Sequence, residues 1–325
     1  MNDIQLIAPV TLEAEEVHEE SELKPFIVAN TIPVSTTDLK EKCIIPSFAD
    51  NESTISHTNF IEAVYLAAQS WFKHETLKQP VVRVSHPVNG RIPSAMGKPV
   101  KFLTEDEKTL YYERMVFQIE VLTIRDTVNG NELNLSIGGV RALNTENLYT
   151  KKTEEKFKVY IGFNNRVCIN LCISTDGFRE EIRARTVSEI VEESFKLFSN
   201  FNAPIQLRQM AEFGNEFISE NQFAQLVGRS RMYQHLPPKV RKEIPVVMPL
   251  SDSQVNMVTR QYYHDDSFSG ADLGGVSLWK LFNLFTGANK SSYIDSFLDR
   301  GVGSHSFVSS MQNAIRDGSN FWFLQ

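Results

Sequence analysis

The stretch MVFQIEVLTIRDTVNGNELNLSIGGVRALNTENLYTKKTEEKFKVYIGFNNRVCINLCIS, residues 115–174, contains four successive segments with the residue pattern of β-strands. The first two segments, residues 115–128 and 131–142, are separated by Asn129-Gly130. Asn and Gly both tolerate the positive φ that the central residues of a tight hairpin turn require. These two segments therefore predict a β-hairpin.

A pairing of Val128 with Asn131 separates apolar from polar side chains across this hairpin, as cross-strand pairing favours. The expected apolar pairs are Ile124 with Leu135 and Leu122 with Ile137, and the expected polar pairs are Arg125 with Asn134 and Thr123 with Ser136. Residues 115–121 are apolar in both phases. We therefore expect burial on both faces there, or a β-bulge.

Residues 155–174 predict a second hairpin with a cleaner alternation of apolar and polar residues. A two-residue turn at Asn164-Asn165 would set apolar residues opposite polar ones, so we predict a three-residue loop at residues 164–166. The resulting pairs are Phe163 with Val167, Ile161 with Ile169 and Val159 with Leu171. The opposite face would carry Lys156, Lys158, Tyr160, Asn170 and Cys172, and we expect it to be a solvent-exposed working surface.

The chain of 325 residues is long enough to bury a large core, in one domain or two. No apolar run reaches the length of a membrane span, and the amino terminus lacks the pattern of a secretory signal. The three cysteines, Cys43, Cys168 and Cys172, do not form a disulfide framework. If Cys168 and Cys172 lie on one strand, their spacing of roughly 13 Å prevents a bridge. We therefore expect a cytoplasmic protein without membrane association.

The net charge of −7 comes almost entirely from the amino-terminal segment. Residues 1–24 hold seven acidic side chains and one basic one, which leaves 33 acidic and 32 basic residues in the remainder. Segments of this composition are typically disordered, so we predict a disordered acidic tail over residues 1–24. The nearly neutral remainder implies neither a strong field for nucleic acid nor a repulsive one.

The regions around the central strands predict helices and complete an α+β fold. Ser56 and the Thr186–Glu189 capping box each begin a helix with an apolar stripe. Further helices are expected from Pro204 to Phe217, after Ser219, over residues 252–263, and over residues 277–300 with Gly301 closing the last one. We predict an α+β domain with a central antiparallel sheet over residues 25–203, and a helical subdomain packed on it over residues 204–325.

Basic and aromatic residues interleave in two parts of the chain, as in proteins that track a phosphate backbone while aromatic rings stack on bases. Residues 229–242, RSRMYQHLPPKVRK, contain five cations and no acid. The candidate nucleic-acid-binding residues are Lys151, Lys152, Lys156, Lys158, Tyr160, Asn170, Arg229, Arg231 and Tyr233. The alternative is that these cations are ordinary solvated side chains that balance local acids.

Three other groups of residues have weaker patterns. Residues 285–292, FTGANKSS, have part of a phosphate-loop pattern but lack its first glycine and its preceding strand. Arg83, His86 and Arg91 could bind an anion, or form a surface loop. Asp252, His264, Asp265 and Asp266 could hold a metal of a hydrolase or nuclease, but no second histidine stands at ligand spacing. We therefore expect no catalytic residue, cofactor or metal.

Five strings carry a family resemblance: residues 134–144 (NLSIGGVRALN), 155–163 (EKFKVYIGF), 167–172 (VCINLC), 220–228 (ENQFAQLVG) and 283–293 (NLFTGANKSSY). They resemble domain-of-unknown-function family 3871 of Bacteroidetes mobile elements, from about Lys24 onward. The Val-Cys-Ile-Asn string and the late Asn-x-x-Thr pattern are also similar to a wider plasmid- and phage-associated family of unknown function. The resemblance brings no catalytic residue, and it implies a cytoplasmic accessory protein whose neighbours handle DNA.

The leading hypothesis is a non-catalytic accessory protein of a plasmid, phage or conjugative element that binds single-stranded nucleic acid. The alternatives are a protein-interaction module that acts on a host- or element-encoded protein, and the metal-dependent hydrolase or nuclease described above.

Overall fold

The computed structural model describes residues 25–45, 54–146 and 154–325. The predicted acidic tail and the candidate residues Lys151 and Lys152 lie outside these ranges. The strands are β1 (Ile32–Val34), β2 (Val81–Val84), β3 (Pro87–Arg91), β4 (Lys108–Tyr112), β5 (Arg114–Val128), β6 (Asn131–Ala142), β7 (Glu155–Asn165), β8 (Asn170–Cys172), β9 (Phe178–Ala184), β10 (Phe217–Ser219) and β11 (Gly275–Ser277). The helices are α1 (Thr36–Lys42), α2 (His57–Trp71), α3 (Val187–Asn200), α4 (Ala203–Glu212), α5 (Glu220–His235), α6 (Pro238–Glu243), α7 (Asp252–His264), α8 (Leu278–Asn289) and α9 (Ile294–Asp317).

A seven-stranded antiparallel sheet organises the molecule, in the order β1-β2-β5-β6-β7-β8, with β9 also paired to β7. The long strands β5, β6 and β7 form its centre. Two further pairs, β3 with β4 and β10 with β11, lie outside the main sheet. The helices and the large antiparallel sheet confirm the predicted α+β class.

The first hairpin forms at the predicted turn, where Val128 pairs with Asn131. Asn129 and Gly130 adopt positive φ values of 49° and 81°, as the turn chemistry requires. The predicted pair Arg125–Asn134 is also present, but a bulge then shifts the register, so that Val121 rather than Ile124 lies opposite Leu135. The predicted apolar pairs are therefore wrong, because the bulge takes up residues between Val121 and Arg125.

The second hairpin differs more from the prediction. Strand β8 has only three residues, and its pairs with β7 are Phe163–Cys172, Asn164–Leu171 and Asn165–Asn170. Residues 166–169 form the loop, so the predicted three-residue loop and its pairs are wrong. Cys168 lies in this loop rather than on a strand, and the expected spacing of the two cysteines on one strand does not apply.

The sheet has two faces, and both are covered. The first face packs against α2 and α3, where the ring of Phe60 lies 5.3 Å from Phe117 and 4.7 Å from Phe157, measured between centroids. The second face carries Val116, Val140 and Tyr160, and is covered by Phe26, Ile27, Ile294, Phe297 and Leu298. The prediction that Tyr160, Asn170 and Cys172 share a solvent-exposed face is wrong, because all three side chains are buried.

The carboxy-terminal half is largely helical, as predicted, with two corrections. The predicted helix over residues 277–300 is two helices, α8 and α9, and Gly301 lies inside α9. Where the chain turns between them, the Ser292 hydroxyl donates to Asn289 Oδ1 at 2.7 Å. Phe217 does not extend α4 but begins β10, which pairs with β11. Buried residues of the sheet, α5, α7, α8 and α9 belong to one continuous hydrophobic core.

Candidate functional site

The two predicted lysines of β7 are both ion-paired. The Lys156 ammonium lies 2.8 Å from the Glu181 carboxylate, and Lys158 pairs with Asp299 of α9. Both lysines line an open cleft of about 520 Å³ together with Thr145, Glu181 and Asp295. This surface therefore carries both cations and carboxylates.

The predicted residues of α5 are held by other parts of the chain. Arg229 stacks on the Trp322 ring at 4.9 Å and donates to the Gln325 carbonyl, while Arg231 pairs with Asp252 at 2.9 Å. Tyr233 is buried against Trp322 and Phe323. The structure does not bring β7 and α5 into one surface around the tyrosines. Since Tyr160 and Tyr233 are both buried, neither ring is available to stack on a base.

The structure separates two residues of the predicted metal site. Asp252 and His264 lie at opposite ends of α7, which at about 1.5 Å per residue separates them by roughly 18 Å. A shared metal is therefore impossible, and the described residues contain no group of three or more side chains suited to hold one. Lys290, in the phosphate-loop-like segment, follows the end of α8 and donates to the Cys168 carbonyl.

The loop between β7 and β8 contains a strained residue. Ile169 has a φ of 54°, in the left-handed region that a β-branched residue rarely adopts. Such a conformation costs about 1–3 kcal/mol and persists only where the surroundings enforce it. The hydrogen bonds of Asn165 and Asn170, which lie on either side of this loop, hold Ile169 in this conformation. Strain of this kind is common at functional sites.

Asn283 of α8 is hydrogen-bonded to the residues on both sides of this loop. Its side-chain oxygen accepts from the Asn165 amide at 2.9 Å, and its backbone carbonyl accepts from the Asn170 amide at 2.9 Å. The amide nitrogen of Asn283 in turn donates to the Trp279 carbonyl. The two strings that carry the wider resemblance, residues 167–170 and 283–286, thus meet in one buried network.

A polar floor lies on the second face of the sheet, beside the strained loop. Asn134 of β6 lies directly opposite Asn164 of β7, and both side chains are almost completely buried, with 1% and 2% of their surface exposed. Neither the amide nitrogen nor the amide oxygen of either residue has a hydrogen-bond partner among the described residues. Buried amides are nearly always hydrogen-bonded, so two adjacent unpartnered amides suggest a site that receives a polar group.

The same floor continues along β5 and β7. The Gln118 amide donates to the Ser136 hydroxyl at 2.8 Å, and the buried hydroxyl of Tyr160 has no partner in the described part of the chain. Burial, and secondarily the nearby charge of Glu120, raises the pKa of Tyr160 well above its usual range. Tyr160 therefore stays protonated and can donate a hydrogen bond, but it cannot act as a base at neutral pH.

A cleft of about 220 Å³ opens at the edge of this floor, where Gln118 and Asn164 line it. Lys78, Arg83, Arg166 and Glu120 supply charge to it, and Pro25, Phe26 and Ile169 supply apolar contacts. Arg83 is anchored by the Thr31 hydroxyl and carbonyl, both at 2.9 Å. Lys78 and Arg166 are exposed, and neither forms an ion pair within the described ranges. The cleft therefore combines a cationic rim with an amide floor.

The sequence singled out Arg83 of this cleft, but it missed the other residues. The Asn134–Asn164 pairing depends on a register that the predicted hairpins did not have. The roof of the cleft, Phe26 and Ile169, comes from segments that no local pattern connects to the sheet. The unpartnered amides were therefore not detectable from sequence.

The fold and this cleft define an α+β protein with a polar pocket on one face of an antiparallel sheet. The chain belongs to the family described as "Domain of unknown function, B. Theta Gene description (DUF3871)", whose model matches residues 10–324. Comparison with curated proteins finds no match, and comparison with solved structures finds none. No described helix combines the length and apolarity that a membrane span requires.

Proposed function

We propose that the chain is a non-catalytic, cytoplasmic accessory protein of a mobile genetic element that binds single-stranded nucleic acid in the cleft lined by Asn164. The mobile-element context comes from the resemblance to Bacteroidetes element proteins. The observation that carries the proposal is the cleft itself, in which a cationic rim stands over buried amides.

Charge and size favour a nucleotide unit of a single strand. Among the described residues that line the cleft, the exposed cations Lys78 and Arg166 outnumber the one carboxylate, Glu120, so the rim attracts an anion such as a phosphate. The cleft is smaller than the roughly 300–1,000 Å³ of pockets for drug-sized ligands, and suits one planar group. A base inside duplex DNA is stacked and paired, whereas a single strand offers its bases without that cost.

The predicted surface on β7 and α5 supports the proposal less well. Lys156, Lys158 and Arg231 would have to leave their acidic partners, although exposed ion pairs of this kind are worth only about 0–1 kcal/mol. Their role in nucleic-acid binding stays a prediction, and one experiment compares the two surfaces.

Fluorescence anisotropy of labelled single- and double-stranded oligonucleotides tests the proposal. We expect salt-sensitive binding that prefers the single strand. A Lys78→Glu/Arg166→Glu variant should weaken it at least about tenfold and reduce the salt slope by about 1.4, since each phosphate contact to a single strand contributes about 0.7. The control Lys40→Glu/Lys101→Glu makes the same change of net charge at exposed positions elsewhere.

The outcomes separate the two surfaces. If Lys156→Glu/Lys158→Glu abolishes binding while the cleft variant binds normally, the surface on β7 is the site and the cleft is not. If the wild-type protein binds no oligonucleotide at low salt, nucleic acid is not the ligand. The search then moves to a host- or element-encoded protein partner, by pull-down with and without residues 1–24.

A further inference from the structure

Two neighbouring buried amides, one of which lines the cleft, have hydrogen-bonding groups that no described residue uses. Asn134 and Asn164 lie opposite one another on neighbouring strands, and Asn164 lines the cleft. Each offers an NH2 group that donates and an oxygen that accepts, and these four atoms are without a partner in the described part of the chain. Their neighbours Asn165 and Asn170, by contrast, donate to Asn283.

We infer that Asn134 and Asn164 are specificity-determining residues that read the polar edge of a base. This inference rests on the proposed function. An asparagine amide pairs with a planar group that presents a donor and an acceptor side by side, which is the arrangement on the edge of a nucleobase. The cationic rim binds phosphate irrespective of sequence, so the amide floor is the part of the cleft that distinguishes bases.

The burial of the two amides strengthens the expected selectivity. A ligand that fails to pair with them leaves the amides desolvated and unsatisfied, whereas a matching base satisfies them. Phe26 and Ile169 provide apolar walls beside the floor, so water competes poorly for the same groups.

Replacement of Asn134 and Asn164 by leucine should change stability in opposite directions, depending on whether the amides bind a ligand or support the fold. If the amides supported the fold, their replacement by leucine would lower the melting temperature. Because they are unpartnered in the free protein, an apolar side chain of similar volume removes the desolvation penalty, and the melting temperature should rise. Such a gain in stability with a loss of binding is typical of functional sites.

The test uses the full chain with oligodeoxynucleotides that contain adenine, cytosine or thymine only. The wild-type protein should prefer one of them by about 5- to 150-fold, the discrimination that one bidentate amide contact provides. Asn164→Leu, and separately Asn134→Leu, should bring the three affinities close to parity and raise the melting temperature. Asn165→Leu is the matched control at a partnered amide, and it should lower the melting temperature.

Each outcome decides the inference. Equal affinity of the wild-type protein for all three oligonucleotides overturns it while the proposed function stands. The inference is also overturned if Asn164→Leu and Asn134→Leu each lower the melting temperature and keep the wild-type base preference. Absence of any binding by the wild-type protein at low salt overturns both the proposed function and the inference.

Discussion

Asn165 and Asn283 are joined by a hydrogen bond of 2.9 Å between Asn165 Nδ2 and Asn283 Oδ1, although 118 residues separate them in the chain. The bond links the end of β7 to the middle of α8, in a region where both side chains are buried. It therefore ties the sheet to the helical half of the molecule at the strained loop that borders the cleft.

Replacement of Asn283 by leucine should destabilise the protein by about 1–3 kcal/mol, because it leaves the buried amide of Asn165 unpaired. Urea unfolding followed by circular dichroism measures the change. Asn215→Leu is the control at an exposed asparagine, and it should have little effect. Equal stability of the two variants would show that the Asn165–Asn283 bond does not support the fold.

Arg141 is fully buried at the end of β6, where it pairs with Glu155 and donates to the Ile55 carbonyl. Its guanidinium also lies 4.8 Å from the centre of the Phe157 ring. Arg141→Met should cost about 3–5 kcal/mol, since it leaves a buried carboxylate uncompensated. Arg183→Met is the matched control, because that exposed arginine also pairs with a glutamate. A cost below that of the control would contradict the role given to Arg141.

His57 and His305 should make the protein sensitive to mild acid. Burial lowers the pKa of His57 to about 3 and that of His305 to about 4, whereas both titrate near 6.5 in the unfolded chain. The unfolded state thus binds more protons below pH 6.5, and stability is lost as the pH falls. Between pH 7.5 and 5 each histidine should cost about 2 kcal/mol.

The measurement is the free energy of urea unfolding at several pH values. His57→Gln should reduce the slope of stability against pH by the share of one histidine. A slope unaffected by His57→Gln would mean that the folded protein protonates this histidine as readily as the unfolded chain does.

Two glycines should respond to alanine in opposite directions. Gly130 has a φ of 81°, so Gly130→Ala strains the turn and should destabilise the protein by about 1–2 kcal/mol, although no atom would touch the new Cβ. Gly228 lies within α5 with open space around it, and Gly228→Ala should stabilise by about 0.5–1 kcal/mol. Thermal denaturation measures both, and a stabilising Gly130→Ala would refute the turn geometry.

The helix starts were predictable because their signals are local. Ser56, Thr186 and Ser219 each accept a hydrogen bond from a backbone amide three residues ahead, and such capping patterns are legible in a short window of sequence. The first hairpin turn was predictable for the same reason, since Asn-Gly suits its backbone without help from the rest of the chain.

Features that depend on distant residues were not predictable. Val167 and Ile169 continue an apolar alternation that favours a strand, but the contacts of Asn283 hold residues 166–169 as a loop. Strand β9 was missed because four of its seven residues are charged, a composition unusual for a strand. The polar residues on the second face of the sheet were predicted to form a solvated surface, because no local pattern shows that α9 and Phe26 cover them.

Pro25 lines the cleft, so residues 1–24 join the described part of the chain at the proposed binding site. Glu19, Glu20 and Glu22 lie within six residues of Pro25, a contour length of at most about 20 Å. Tethered charges act at a high effective concentration, on the order of millimolar for a short flexible link. Carboxylates tethered at that distance would compete with a phosphate for the cationic rim, and the competition would weaken as salt rises.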